Sequence, residues 1–371
     1  MPIPVKSLII SWRTIALSLL LSVIVGFSAI GEPVGRVIEA AIGRAAWRPV
    51  SGDTVIVGVD DKTLQSLQDQ EFSVANHARL IRAVDDAGAK RLFIDFSYYR
   101  RLTHPDYSKV AAAVRRMDDR VVLAVPAAKM TGSDVKVSYW PSQAMGDRAV
   151  RACICWEYEF WQVWRVPLAV IADGRHLPSF AALLADRPLD KPGLFLLDFS
   201  YDTSTITEYS AIDVLNGRVG RQQLAGKYVI FAPTNASSSD QHFLPGHEKL
   251  PGAYIHLIAG EALKRGNPVD IGFFPGLALT FAILLGALAA RRGRWFAWAA
   301  FVTTSALIAA KIFLGLSLVS TQIGAACFLI AALSANVSRT RRRPAAQREN
   351  PVSGLPNFEA LRSQAAFGSA T

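Results

Sequence analysis

The chain has 371 residues, 51% of them hydrophobic, and its mean hydropathy is +0.24. This length leaves room for two or more domains, and so apolar a composition indicates that part of the chain lies in lipid. The net charge is +10, of which residues 1–30 carry +2 and residues 271–371 carry +8, so residues 31–270 are neutral. A neutral central segment excludes a nucleic-acid-binding surface there, whereas charge beside apolar runs is typical of membrane topology signals.

The first predicted element is an apolar helix near the N-terminus. The run "TIALSLLLSVIVGFSAI" has no charge and follows Lys6 and Arg13. With the apolar residues before Arg13, it approaches the ~20 residues that a membrane-spanning helix needs. The two basic residues predict a cytoplasmic N-terminus. We therefore expect residues 1–30 to form a retained membrane anchor, with a cleaved signal peptide as the alternative.

Residues 31–270 alternate between strand and helix patterns. The runs "TVIVGVD", "RLFIDFSYY" and "RVVLAVPA" predict buried strands, and "NHARLIRAVDDAGAK" and "DYSKVAAAVRRM" predict the helices between them. "GKYVIFAP" and "GAYIHLIAGEALKRG" repeat the pattern later, while "EYEFWQVWRV" and "GLFLLDFS" predict further, partly antiparallel strands. Strand–helix–strand order predicts right-handed crossovers, and so an α/β domain whose mixed, largely parallel sheet has helices on both faces.

Three aspartates follow predicted strands of this domain. Asp60, Asp95 and Asp240 each lie at or just beyond the C-terminal end of a strand. Ligands of open α/β sheets bind at that edge, so the three carboxylates predict a shared ligand-binding pocket. The alternative is that each aspartate caps a turn or a helix. His256, early in the last helix of the domain, is within reach of the Asp240 loop; the alternative is a half-buried histidine with a purely structural role.

The cysteines and the known catalytic motifs give no further site. Cys153 and Cys155 are two residues apart, a spacing that orients their side chains poorly for a disulfide and supplies only two of the four ligands of a zinc site. We expect inert thiols and no metal site. The sequence has no P-loop, dinucleotide-binding, serine-hydrolase or zinc-protease motif. No catalytic residue and no cofactor are therefore predicted, and this chain is not expected to be an enzyme.

Three more apolar runs, at about 271–290, 295–316 and 317–337, predict membrane-spanning helices. The arginine clusters "RRGR" and "RTRRR" follow the first and the third run, which places both clusters inside the cell if the chain crosses four times. The prediction is an α-helical transmembrane bundle of four spans, with residues 31–270 in the periplasm and both termini in the cytoplasm. Lys311 is the one charge well inside a span, which disfavours an ion-coupled transporter.

The central segment resembles the CHASE2 domain, an extracytoplasmic sensor module of bacterial signalling receptors. The resemblance covers about 51–270 and is carried by "VGVDDKTL", "HARLIRAVDDAGAKRLFIDFSYY", "GKYVIFAPTNASSSDQHFLPG" and "LPGAYIHLIAGEALKRG". "FSYYRRLTHPD" is more basic and aromatic than the family pattern, and "IFAPTNAS" has alanine and proline where glycine is usual. The resemblance implies an inner-membrane sensor that detects an unknown extracytoplasmic ligand through its periplasmic domain.

Residues 338–371 begin with a basic linker and continue into "NPVSGLPNFEALRSQ", which resembles the opening of a GGDEF domain, the module of diguanylate cyclases. Gly354, Leu355 and Asn357 match the family's turn, whereas Asn350 and Phe358 depart from it. The resemblance implies a cyclic-di-GMP output whose catalytic part is missing from this chain. A full-length cyclase parent would use GTP and Mg²⁺, and it would act as a homodimer because two cyclase modules must face each other.

Other outputs and roles stay open from the sequence alone. A CHASE2 receptor also fits an adenylate cyclase or a protein kinase as its output, and the departures in the GGDEF-like segment fit a degenerate module ahead of an EAL phosphodiesterase. A stand-alone membrane anchor or interaction protein is a further alternative. The expected partners are the lipid bilayer, the unknown ligand and a second copy of the chain, with no nucleic acid.

Overall fold

The computed structural model describes most of the central segment and parts of what flanks it. The described residues are 12–27, 32–45, 47–68, 72–98, 106–126, 140–159, 161–187, 193–266 and 269–270, with isolated positions between 274 and 317. The chain divides into two compact units, one formed by Met1–Ile38 with Asp270–Thr371 and the other by Glu39–Val269.

The helices of the described residues are α1 (Trp12–Phe27), α2 (Glu32–Ala45), α3 (Asp61–Leu67), α4 (Val74–Asp86), α5 (Asp106–Met117), α6 (Phe180–Leu184), α7 (Ala211–Leu215), α8 (Arg221–Leu224) and α9 (Gly252–Arg265). The strands are β1 (Thr54–Val59), β2 (Arg91–Ile94), β3 (Val121–Val125), β4 (Val150–Cys153), β5 (Glu157–Glu159), β6 (Gln162–Ala172), β7 (Arg175–Pro178), β8 (Gly193–Leu196), β9 (Glu208–Ser210), β10 (Tyr228–Pro233), β11 (Gln241–Phe243), β12 (Lys249–Pro251), β13 (Val269–Asp270) and β14 (Leu316–Ser317).

A six-stranded parallel sheet forms the centre of the unit Glu39–Val269. Its order is β4-β3-β2-β10-β1-β9, and each neighbouring pair is parallel. The late strand β10 lies between β1 and β2, so the loops that follow these three strands leave the sheet at one edge. Strand–helix alternation in the sequence predicts this parallel α/β arrangement, and the structure has it.

Both faces of this sheet are buried. On one face, alternate strand residues such as Val55 and Leu92 pack against α4, α5 and α7. On the other face, Ile56 and Phe93 pack against α6, α9 and strands of a second sheet. Burial on both faces explains why these strands read as continuous apolar runs rather than alternating ones.

The second sheet is built around β6 in the order β12-β11-β6-β5, and β7 and β8 also pair with β6. The stretch "EYEFWQVWRV", predicted as one strand, is a hairpin of β5 and β6 in which Glu159 pairs with Gln162. Trp161 has a φ of 66°, in the left-handed region, and this conformation reverses the chain between the two strands.

The prediction of a transmembrane bundle of four spans is wrong for the structure described. Within the described residues, no helix is both long enough and apolar enough to cross a membrane. The predicted spans at 271–290, 295–316 and 317–337 lie almost wholly outside the described residues, as does the GGDEF-like segment within 338–371.

The expectation of free thiols at Cys153 and Cys155 is also wrong, because the two sulfurs form a disulfide. An extended strand would separate the Cα atoms of residues i and i+2 by about 6.6 Å. Strand β4 ends at Cys153, and the chain then bends so that these Cα atoms are 5.3 Å apart, within the range that a disulfide tolerates.

Candidate functional site

Five polar side chains from four parts of the fold lie together at the carboxyl edge of the main sheet. They are here called the carboxyl-edge cluster. Asp95 directly follows β2, Asp240 and His242 belong to the segment from β10 into β11, Tyr158 is in β5, and His256 is in the second turn of α9. The structure thus brings together three of the four residues predicted from the sequence as ligand-binding, namely Asp95, Asp240 and His256.

Asp95 and His256 face each other in the interior. Asp95 is 8% exposed and His256 is 1% exposed, and the His256 Nε2 atom lies 4.0 Å from the Asp95 Oδ2 atom. This distance is too long for a hydrogen bond. Among the described residues, neither ring nitrogen of His256 nor the Asp95 Oδ2 atom has a hydrogen-bond partner. The backbone fixes the pair, since the Asp95 N–H donates to the Phe231 carbonyl of β10 at 2.8 Å.

Burial moves the pKa values of this pair in opposite directions. Loss of solvation raises the pKa of Asp95 well above its usual range, and the nearby charge of Asp240 adds to the rise. Burial lowers the pKa of His256 to about 4; Asp240 pulls this pKa upward, and His242 adds to its fall. Desolvation disfavours whichever form is charged, so the pair favours a protonated carboxyl and a neutral imidazole.

A chain of hydrogen bonds joins the other three members of the carboxyl-edge cluster. The His242 Nε2 atom lies 2.7 Å from the Asp240 Oδ1 atom, and the His242 Nδ1 atom is hydrogen-bonded to the Tyr158 hydroxyl. If Nε2 donates to Asp240, the Tyr158 hydroxyl donates to Nδ1. Tyr158 is 51% exposed, whereas 13% of the His242 side chain is exposed. The chain therefore runs from the exposed Tyr158 to Asp240, whose side chain is 29% exposed.

Aromatic rings enclose the two histidines. The Trp156 ring centroid lies 4.5 Å from that of His242 and 5.1 Å from that of His256. The Phe180 ring, from α6, lies 5.1 Å from His256 on another side. These rings bury His256 in apolar surroundings, which is the physical cause of its lowered pKa.

Gly252, in the "PGAYIH" stretch, gives Asp240 its position. A Cβ atom on Gly252 would lie 2.6 Å from the Asp240 Oδ2 atom, closer than real contacts allow. The Gly252 N–H also donates to the Asp240 carbonyl at 3.2 Å. Because Gly252 is the first residue of α9, the Asp240 carboxylate lies at the helix N-terminus, where the helix dipole stabilises negative charge.

Asp60, the fourth predicted residue, has a different role. Its carboxylate accepts hydrogen bonds from the Thr63 N–H at 2.8 Å and the Thr63 hydroxyl at 2.6 Å, and it also accepts from the Ser210 hydroxyl at 2.7 Å. Asp60 is therefore the N-cap of α3. From the sequence, helix capping was the alternative role for these aspartates, and the structure shows that role for Asp60.

The sequence did not single out several residues near the cluster. Tyr158 falls within the strand-like stretch "EYEFWQVWRV", Trp156 directly precedes it, and His242 closes the polar loop "PTNASSSDQH", so each had a weak signal at most. Glu208 had no signal. It accepts from the hydroxyls of Thr234 and Tyr254, each at 2.6 Å, and thereby ties the first turn of α9 to the sheet.

Among the described residues, no group of three or more His, Cys, Asp or Glu side chains has the arrangement of a metal site.

Comparison with known proteins gives one match. No curated protein and no solved structure matches the chain. The CHASE2 domain matches residues 19–291, which is well over half of the chain. CHASE2 is an extracellular sensory domain found in signalling proteins. The chain therefore belongs to the CHASE2 family, and its role is that of a sensor.

Proposed function

We propose that this sensor reads its stimulus at the carboxyl-edge cluster and passes the result across a membrane to a cyclic-di-GMP output. One observation carries the proposal: Asp95 and His256 are buried and face each other, and among the described residues the Asp95 Oδ2 atom and both ring nitrogens of His256 lack hydrogen-bond partners. Leaving one buried polar group unsatisfied costs about 1–3 kcal/mol. A buried polar group in such a state requires an explanation, and a functional role is one that fits perturbed titratable groups.

Helix α9 is the proposed route of the signal. Its first two turns hold Gly252 against Asp240, Tyr254 in a hydrogen bond to Glu208, and His256 in the cluster. The same helix ends at Arg265, a few residues before the unit boundary between Val269 and Asp270. A stimulus that binds one arrangement of the cluster better than another shifts the equilibrium between them. This shift then displaces α9. Small displacements of helices transmit signals in other protein switches.

The GGDEF-like stretch within residues 350–364 supports cyclic-di-GMP as the output. Synthesis of this dinucleotide from two GTP molecules, with Mg²⁺, requires two cyclase modules face to face. A second copy of the chain is therefore the proposed partner, and the stimulus would act by changing how the two copies are arranged.

The experiment joins the whole chain at Thr371 to an intact diguanylate cyclase domain and measures cyclic-di-GMP in cells. Asp95→Asn and His256→Gln should each change its level by about fivefold or more, the lower range of allosteric coupling. The matched controls are Asp119→Asn and His176→Gln, the same chemical changes at exposed positions. Equal levels in the cluster variants and the controls, at equal amounts of protein, would show that the cluster is not the sensor site.

A further inference from the structure

We infer that the ligand of the carboxyl-edge cluster is the proton, so that this domain senses the acidity of the extracytoplasmic compartment through the Asp95–His256 pair. The inference rests on the proposed function, because it names the stimulus that the cluster reads.

The first argument is the geometry of the pair. The Asp95 Oδ2 atom and the His256 Nε2 atom lie 4.0 Å apart, and neither atom has a hydrogen-bond partner within the residues described. The number of protons bound therefore decides the charge of the pair. With one proton, the carboxyl and the imidazole are both neutral or form an ion pair. With none, a bare carboxylate is buried, and with two, a buried imidazolium remains.

The second argument is the set of charges around the pair. The titratable groups that face it are Asp240 and His242, from the segment between β10 and β11. The remaining neighbours, Trp156 beside β5 and Phe180 of α6, present rings rather than charges. Among the described residues, no lysine or arginine is one of these neighbours, and within that set the proton is the means of neutralising a carboxylate at Asp95.

The third argument is the path to solvent. Tyr158 is half exposed and its hydroxyl is bonded to His242, which in turn is bonded to Asp240 at 2.7 Å. A path of hydrogen-bonded side chains thus runs from solvent to Asp240, the neighbour whose charge acts on both members of the buried pair.

The direction of the response follows from burial. Burial raises the pKa of Asp95 and lowers that of His256 to about 4, so one proton stays on the pair over a wide pH interval. Burial in the arrangement described favours the form in which Asp95 holds a proton and His256 is neutral. As the pH rises through the pKa of Asp95, a buried carboxylate appears, the acid form is destabilised, and the contact of the sheet edge with α9 loosens.

Infrared spectroscopy of the full chain, reconstituted in lipid nanodiscs, tests the inference directly. Wild type and Asp119→Asn should show the C=O stretching band of a protonated carboxyl at pH values where an exposed aspartate is ionised, and the band should vanish as the pH rises further. Labelling with ¹³C-aspartate should shift this band, and Asp95→Asn should abolish it at every pH. Absence of the band, or a band insensitive to both label and substitution, would overturn the inference.

The cyclase fusion supplies a second readout that separates the two proposals. Its cyclic-di-GMP level should follow external pH in wild type, and Asp95→Asn, which mimics the protonated carboxyl, should fix the level at its acid value. If Asp95→Asn and His256→Gln change the output while external pH does not, the cluster is the sensor but the proton is not its ligand. If neither substitutions nor pH change it, the proposed function also fails. A pH response that Zn²⁺ or a chelator reproduces at constant pH would likewise overturn the inference.

Discussion

Asp60 and Asp95 each follow a strand of one parallel sheet, yet their surroundings are opposite. Asp60 has a threonine three residues later, and its carboxylate is satisfied by the Thr63 N–H and hydroxyl at the start of α3. Asp95 has no such local partner for its Oδ2 atom and is enclosed by the packing of α9. One aspartate therefore stabilises a helix, whereas the other carries a desolvation cost that a functional role explains.

Replacing Asp60 by alanine should affect stability and leave signalling intact. Loss of an N-cap destabilises a protein by about 0.5–2 kcal/mol. Asp60→Ala should therefore lower the midpoint of thermal unfolding, while the cyclic-di-GMP level of the fusion stays at the wild-type value once protein amounts are matched. A changed cyclic-di-GMP level together with an unchanged unfolding midpoint would show that Asp60 belongs to the ligand-binding site.

Asp95→Asn should make the protein more stable at alkaline pH. Burial raises the folded-state pKa of Asp95 above the unfolded value of 3.8, so the folded state binds the proton more tightly. The stability that Asp95 contributes is then complete below pH 3.8 and is lost as the pH rises through the folded-state pKa. Between pH 5 and pH 8, the midpoint of thermal unfolding should fall less in Asp95→Asn than in wild type or Asp119→Asn. Equal losses in all three would contradict the assignment.

His256 should have the opposite pH dependence. Its folded-state pKa of about 4 lies below the unfolded value of 6.5, so the unfolded state binds the proton more tightly. Its contribution is present above pH 6.5 and is lost as the pH falls toward 4. Between pH 7 and pH 5 the loss is about 2 kcal/mol, since one pKa unit is worth about 1.4 kcal/mol.

Denaturant unfolding at pH 7 and pH 5 measures this loss. The loss of stability between pH 7 and pH 5 should be smaller in His256→Gln than in wild type. It should be unchanged in His176→Gln, which alters an exposed histidine. His77, whose pKa burial also lowers to about 4, is present in both variants and contributes equally. An undiminished loss in His256→Gln would mean that the ring is already solvated in the folded state.

At the scale of elements, the initiation of α9 controls the geometry of the cluster. Gly252→Ala should push the Asp240 carboxylate away from the helix N-terminus, because the added Cβ would lie 2.6 Å from its Oδ2 atom. Overpacking of this kind costs about 1–3 kcal/mol. Gly193→Ala is the control, since an added Cβ there meets nothing within 4 Å.

The midpoint of thermal unfolding should fall in Gly252→Ala and stay unchanged in Gly193→Ala. The infrared band of Asp95 should also shift in Gly252→Ala, because the charge of Asp240 has moved. Identical unfolding and identical spectra in the two alanine variants would show that Asp240 does not depend on Gly252.

The pattern of apolar residues in the sequence predicted those strands and helices whose residues are buried in a regular pattern. The strands around Ile56, Phe93 and Ile230 are apolar throughout because both faces of the sheet are covered, and α9 has the apolar spacing of a packed helix. The hairpin at Trp161 and the disulfide of Cys153 were missed because each depends on a local bend that apolar patterning does not encode. Position on a strand end predicted Asp95 and Asp240, but not the burial that distinguishes Asp95 from Asp60.

At the scale of the whole molecule, chain topology assembles the site. Strand β10 enters between β1 and β2, which brings the segment of Asp240 beside Asp95 although 145 positions separate them in the numbering. The hairpin of β5 then adds Tyr158 from the second sheet. The order of strands in a sheet has no signature in one sequence, so the convergence of these residues is a property of the fold.

Apolar composition was a poorer guide. The uncharged run near the N-terminus predicted a membrane span, whereas none of the helices described in the structure is both long enough and apolar enough to cross a membrane.

The most direct test of the account is the output of the cyclase fusion as a function of external pH, in wild type, Asp95→Asn and Asp119→Asn. We predict that wild type and Asp119→Asn follow pH along the same curve, and that Asp95→Asn holds the acid-state level throughout. An Asp95→Asn curve that superimposes on the other two would contradict the claim that the buried carboxyl of the CHASE2 domain is the sensing group.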